Sequence, residues 1–222
     1  MGCIMKGGGG LHARLVVGAV LLAAGEGSRL GGRPKALLEL GGVPLIRRQL
    51  IALSGAGVDE VVVVLGHHAA AIEAAVAEFP VTLVRNPAPE QGQASSVRVG
   101  LQALAGKLDA VIVALADQPL IHSEDIVSLI GAFKRRGGAA MVVPRVDGAP
   151  GNPVMFEAAL REEWLAGAAD AACRKWREAH PDRVSWFDTG NSRYRVDIDT
   201  PEDLERFAER TGHRLRWPAA VD

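Results

Sequence analysis

Between Leu22 and Gly31 the chain reads Leu22-Ala23-Ala24-Gly25-Glu26-Gly27-Ser28-Arg29-Leu30-Gly31, with Lys35 close behind. Small residues let a backbone approach an anion closely, and successive amides of such a turn converge on phosphate oxygens. Arg29 and Lys35 add two cations, which distinguishes the stretch from an ordinary tight turn between strand and helix. Two common phosphate cradles do not fit it. A dinucleotide fingerprint requires glycine where Leu30 stands, and a P-loop requires Gly-Lys-Ser/Thr, which is absent.

Carboxylates supply the second half of phosphate chemistry. Asp117 follows the apolar run Asp109 to Leu115 and precedes Gln118-Pro119, so it sits on the rim where open parallel sheets bind ligands. There it suits magnesium, which takes few carboxylates together with phosphate oxygens and water; the alternative is an aspartate capping the helix that follows. In Arg195-Val196-Asp197-Ile198-Asp199-Thr200, Asp197 and Asp199 fall on one side if the stretch is extended. Either is a candidate second metal ligand, the alternative for Asp199 being a charge near the N-terminus of the last helix. Asn86, Gly92, Ser95 and Ser96 offer uncharged hydrogen-bonding groups for a ribose, base or phosphate. Gly151-Asn152-Pro153 reads either as a turn or, with Gln118, as part of a second substrate site. His67 and His68 are adjacent, not at ligand spacing, and stay outside the expected site. Trp164, Trp176 and Trp186 read as packing residues.

These groups must be held by strands and helices in a fixed order. Leu15 to Leu22 is apolar on both faces, as a central strand covered by helices requires. Pro44 opens a helix to about Ser54; residues 59 to 65 form a second buried strand, 68 to 78 a helix and 81 to 85 a third strand. A helix over 94 to 105, a strand over 109 to 115 and a helix over 124 to 135 continue a βαβ rhythm, which predicts an α/β fold with a mainly parallel sheet. From Ala139 the rhythm changes, suggesting antiparallel or edge additions that shape the acceptor side. Thr200-Pro201-Glu202-Asp203 marks the start of a last helix.

The 222 residues suit one domain over 15–222, behind a glycine-rich leader over 1–14 expected to be disordered. With 25 basic and 26 acidic residues, a formal charge of -1, the chain offers no footprint for nucleic acid. Cys3 and Cys173 make no disulfide framework or metal spacing, and the apolar run from Leu15 to Ala24 is too short for a bilayer. A cytoplasmic protein without a membrane partner is expected.

Taken together, Leu22 to Gly31 with Lys35, the Asn86 to Ser96 loop, Asp117-Gln118-Pro119, Gly151-Asn152-Pro153-Val154 and Asp197-Ile198-Asp199-Thr200-Pro201-Glu202-Asp203-Leu204 resemble the MobA-like NTP transferases over nearly the whole chain. Within them the sequence looks most like the molybdenum cofactor cytidylyltransferases. The resemblance implies a Rossmann-like three-layer α/β/α fold of the nucleotide-diphospho-sugar transferase type with a mostly parallel mixed sheet. It also implies transfer of CMP from CTP to molybdenum cofactor (molybdopterin), with pyrophosphate released and a molybdenum hydroxylase as client. The guanylyl-transferring members carry Ala-Gly-Gly where this chain has Ala23-Ala24-Gly25, which points to CTP. The resemblance further implies Mg2+ on Asp117 and Asp197, with Arg29 and Lys35 on the phosphates. Leu22, Ala23, Ala24, Gly25, Gly27 and Ser28, together with Asn86, Gly92, Ser95 and Ser96, would surround the nucleotide; Gln118, Gly151, Asn152 and Pro153 would meet the acceptor. Residues 165–174 only echo the Gly-Asp-x-Gly-Ala-Arg-like segment of the cytidylyltransferases, with Asp170 and Arg174 as its polar members. The same fold with GTP or a sugar or polyol phosphate, and a chaperone that binds nucleotide or pterin without turnover, are the alternatives.

Overall fold

The computed structural model describes residues 14–167 and 173–219. The expected leader and Asp170 therefore lie outside the described residues, apart from Arg14. That residue is anchored: its guanidinium donates to the Gly57 carbonyl at 2.8 Å and pairs with Asp59 at 2.9 Å.

In chain order the strands and α-helices are β1 (Val17–Ala23), β2 (Glu39–Leu40), β3 (Val43–Pro44), α1 (Leu45–Gly55), β4 (Glu60–Leu65), α2 (Ala69–Val76), β5 (Thr82–Arg85), α3 (Gln93–Ala103) and β6 (Ala110–Leu115). There follow α4 (Ser123–Lys134), β7 (Met141–Val146), β8 (Ala149–Pro150), β9 (Val154–Glu157), α5 (Ala158–Ala166), α6 (Cys173–Ala179), β10 (Val184–Asp188), α7 (Pro201–Thr211) and β11 (Leu215–Arg216). The main sheet has the order β10-β7-β9-β6-β1-β4-β5, with β8 paired to β7. β1 is central and parallel to both β4 and β6. β9 runs antiparallel to both β6 and β7. The additions after Ala139 are thus not confined to an edge. Val154, Met155 and Phe156 are all buried, and a strand apolar on both faces belongs inside a sheet.

Alternation along β1 builds the three layers. Val17, Ala19, Leu21 and Ala23 pack with Ile46, Leu50 and Leu53 of α1, Ile72 of α2 and Phe133 of α4. Val20 and Leu22 face the other way, onto Val97 and Leu101 of α3, Leu160 and Trp164 of α5 and Trp176 of α6. Because side chains of a strand alternate between faces, such a strand must be apolar throughout. α5 shows in the sequence only as a stripe, Leu160 and Trp164, four residues apart. Trp164 and Trp176 are buried, and the Trp186 ring lies under the guanidinium groups of Arg145 and Arg177. No helix among the described residues is long and apolar enough to cross a membrane.

A small sheet, β11-β2-β3, stands apart from the main one. Near it, Leu30 of the glycine-rich stretch packs with Leu38, Leu45, Ile198 and Phe207. This third cluster joins the loop after β1 to the last helix, so residues far apart in sequence meet at one rim. α7 begins as its sequence predicts: Thr200 Oγ1 accepts from the Asp203 amide, and Asp203 Oδ2 accepts from the Thr200 amide.

Candidate active site

β1 and β6 end side by side, and the Ala116 amide extends their pairing by donating to Leu22 O at 3.1 Å. Asp117 is therefore delivered beside the start of the glycine-rich loop. The loop is folded back on itself: the Leu30 and Gly32 amides both donate to Gly27 O, at 2.8 and 3.0 Å. Gly27 has φ 72°, and a methyl group there would lie 2.0 Å from Arg33 O, so neither the conformation nor the space admits another residue.

A cleft of about 660 Å³ opens at this rim. Of the residues expected around a nucleotide, Leu22, Ala23, Ala24, Gly25, Arg29, Lys35, Gly92 and Ser96 line it, whereas Gly27, Ser28, Asn86 and Ser95 do not. Asn86 instead braces its loop from within. It is buried, its Nδ2 donates to Ser95 Oγ at 2.8 Å and Ser96 Oγ at 2.9 Å, and its Oδ1 accepts from the Ala88 amide.

Lys35 is the centre of the charge arrangement. Its Nζ donates to Asp117 Oδ2 at 2.6 Å and also to Asp199 Oδ1, while Arg29 reaches Asp199 Oδ2 at 3.3 Å. Burial by itself would lower the Lys35 pKa, but the Asp117 and Asp199 carboxylates outweigh it and hold the ammonium above its usual range. Asp117 moves upward as well, because burial disfavours its charge more than Lys35 favours it. Its Oδ1 is buried without a partner among the described residues. Asp197 also lines the cleft, with no ion pair and no hydrogen bond to another of the described residues. Burial and the neighbouring Asp117 and Asp199 charges push its carboxyl up.

Asp199 is the residue whose role the sequence left most open, and the fold explains why. The capping duty falls to Thr200 and Asp203, and Asp203 Oδ2 also accepts from the Asp199 amide at 2.9 Å. Relieved of the helix, the Asp199 carboxylate turns to Lys35. Nor does Asp117 cap α4: His122 stands at the N-cap there, with Asp125 completing the box.

The acceptor-side expectations separate in a similar way. Asn152 lines the cleft, and so does Arg174; Gln118, Gly151 and Pro153 do not. Gln118 is corrected from a substrate contact to an internal clamp. It is buried, its Nε2 donates to the carbonyls of Asn152 and Tyr194, both at 3.2 Å, and its own carbonyl accepts from Gln49 Nε2 at 2.6 Å. The Ile198 amide donates to Asp117 O at 3.1 Å. One buried glutamine and one backbone bond thus fix the three segments bearing Asp117, Asn152 and Asp199. Sequence reasoning also missed Pro34 and Ile72, which line the cleft, as does Gln93 of the Asn86 to Ser96 loop, which was given no role of its own. Only Gln93, next to Gly92, carried a local signal.

Comparison with known proteins gives the family and agrees with the fold. Residues 19–184 match the family model of the MobA-like NTP transferase domain. The chain is 33% identical over 197 residues to nicotine blue oxidoreductase of Paenarthrobacter nicotinovorans, covering 86% of this chain and 96% of that protein. It is also 33% identical over 223 residues to the bifunctional enzyme IspD/IspF of Clavibacter michiganensis subsp. michiganensis, covering 90% of this chain and 53%, about half, of that longer protein. Among solved structures, a nucleotidyl transferase from Methanothermobacter thermautotroptrophicus superposes with a TM-score of 0.72 at 27% identity, over 88% of this chain and 97% of the other.

Proposed function

The chain belongs to the MobA-like NTP transferases, and we propose on that premise that this nucleotidyltransferase moves CMP from CTP to molybdenum cofactor and releases pyrophosphate. The observation that carries the reading is the convergence of Asp117 and Asp199 on Lys35 Nζ beside the glycine-rich loop. An acceptor phosphate oxygen attacks the α-phosphorus of CTP, the bond from that phosphorus to the β-phosphate oxygen breaks, and pyrophosphate leaves with its electron pair. Arg29 and Lys35 face the phosphates, where pre-set charge counts most as negative charge shifts onto the leaving group. To do so, Lys35 exchanges a carboxylate partner for a phosphate oxygen. The buried clamp of Gln118 keeps Asn152 and the Asp199 segment in register, so the acceptor is oriented by groups that need no rearrangement.

The donors suit magnesium. Asp117 Oδ1 is a buried carboxylate oxygen without a partner among the described residues, and two carboxylates completed by substrate phosphates and water are what magnesium prefers over an all-protein cage. The pair that already converges on one cationic atom is Asp117 with Asp199, so we assign the cation to these two and revise the expectation that placed it on Asp197. When bound, it supplies charge neutralisation on the reacting phosphates. Asp199→Asn should therefore weaken Mn2+ binding, followed by electron paramagnetic resonance, by about tenfold or more, and Asp197→Asn by about twofold or less. The reverse ranking would return the ligand role to Asp197.

Donor choice rests on Ala24, which lines the cleft where the guanylyl-using branch has glycine. Pyrophosphate release from CTP, GTP and UTP, each with Mg2+ and molybdenum cofactor, tests donor and acceptor together, and the proposal expects CTP. Preference for GTP, or for a sugar or polyol phosphate as acceptor, would replace that half of the reading. Tight CTP binding without release would favour the chaperone, delivering its ligand to a molybdenum hydroxylase. Redox chemistry is the second reading, favoured by the match to almost the full length of the Paenarthrobacter oxidoreductase. Oxidation of NADH or NADPH in the presence of a quinonoid dye would bring it forward.

A further inference from the structure

The two adjacent histidines have no place in the reaction above, yet one of them touches the nucleotide loop. His68, at the N-cap of α2, places its ring Nε2 2.8 Å from the Glu26 carbonyl. The same turn makes a second contact: a methyl on Gly66 would fall 2.3 Å from Ala24 O and 2.8 Å from Ala24 Cβ, so the turn after β4 lies flush against the start of the loop. Gly25 has nothing within 4 Å of where a side chain would begin, and the folding-back of the loop uses Gly27 O, beyond this stretch. The Gly25-Glu26 stretch therefore depends on the β4–α2 turn for its position.

We infer that His68 is a positioning residue that holds the phosphate-facing peptides of the loop from behind. A trans peptide is planar, so the Glu26 carbonyl and the Gly27 N–H point in opposite directions. A ring N–H donating to Glu26 O fixes that plane and aims the Gly27 N–H away from His68. The Gly27 amide donates to no group among the described residues, and although Gly27 itself does not line the cleft, Gly25 and Arg29 on either side of it do. Held this way, the amide needs no reorientation when phosphate arrives, and pre-organisation of that kind appears as binding affinity. His68 itself touches no reacting atom.

This inference rests on the loop being the nucleotide's, and its test separates the two ideas. Calorimetric titration of the full chain with CTP and Mg2+ should show His68→Ala binding about five- to tenfold more weakly, the yield of one lost hydrogen bond. His68→Gln, which retains a side-chain N–H of similar reach, should recover most of that loss. Amide hydrogen exchange of residues 25–33 should be faster in the alanine variant without nucleotide. If His68→Ala binds CTP as the parent does, or the glutamine variant rescues nothing, the inference is overturned. If the parent chain binds no nucleotide at all, the proposed function falls, while exchange still decides the inference: acceleration on His68→Ala supports it and unchanged rates refute it.

Discussion

Asp117→Ala is expected to lose about 10³-fold or more of pyrophosphate release, the scale of removing a main electrostatic stabiliser from a transition state, while the protein melts within a few degrees of the parent. Asp117 supplies one carboxylate of the converging pair and the buried Oδ1, so on the proposed assignment its removal takes away one of the two carboxylates that would hold the cation. Stability changes little because Asp117 contributes no apolar packing and its burial already works against its charge. Lys35 retains Asp199 as a partner in the variant, so no unpaired ammonium is left enclosed. Ordinary turnover by a well-folded Asp117→Ala would remove this residue from the chemistry and with it the proposed metal pair.

Lys35→Ala should be nearly as damaging, with a loss of roughly 10² to 10³-fold, and it carries a second consequence that a generic loss of charge does not. In the parent chain the ammonium lies between Asp117 and Asp199, where the divalent cation is assigned. Without it, Asp199 keeps only the exposed Arg29 and Asp117 loses its cation, and like charges at close range disfavour the folded state. Without metal the variant should melt lower than the parent; Mn2+ should raise its melting temperature more than the parent's, because ligands that bind only the folded state stabilise it. Nucleotide-free Mn2+ binding should likewise tighten. Weaker Mn2+ binding in Lys35→Ala would mean that the lysine helps to build the metal site and does not compete for it. Lys35→Arg should not restore activity, since a planar guanidinium cannot reproduce an ammonium between two carboxylates.

Much of the frame was legible from the chain. The strands at 17–23, 60–65 and 110–115 announce themselves by unbroken apolar runs, since a strand covered on both faces has no room for polar residues. α7 is written in Thr200-Pro201-Glu202-Asp203. The cradle was visible as small residues with Arg29 and Lys35, and five motifs in order pointed to the family that the comparison then gave. What was missed shares a cause. β10, α5 and the three-stranded sheet have short or weakly patterned sequences whose stability comes from neighbours, and β9, expected as an antiparallel or edge addition, is antiparallel but lies inside the sheet.

Those determinations follow from short-range physics: side-chain periodicity, capping and the backbone freedom of glycine act within a few residues. Which carboxylate answers Lys35 was decided elsewhere. Lys35 meets Asp117 across 82 positions and Asp199 across 164, and only the sheet order, the Leu30–Ile198–Phe207 cluster and the bond from Ile198 to Asp117 O bring them together. By spacing alone Asp197 and Asp199 are equivalent, two acids two residues apart, and the resemblance pointed to Asp197. Tertiary structure breaks that equivalence by assigning the helix cap to Asp203 and turning Asp199 inward. It likewise makes Gln118 a clamp and brings His68 against Glu26, because long-range contacts depend on how elements stack and not on the residues beside them in the chain.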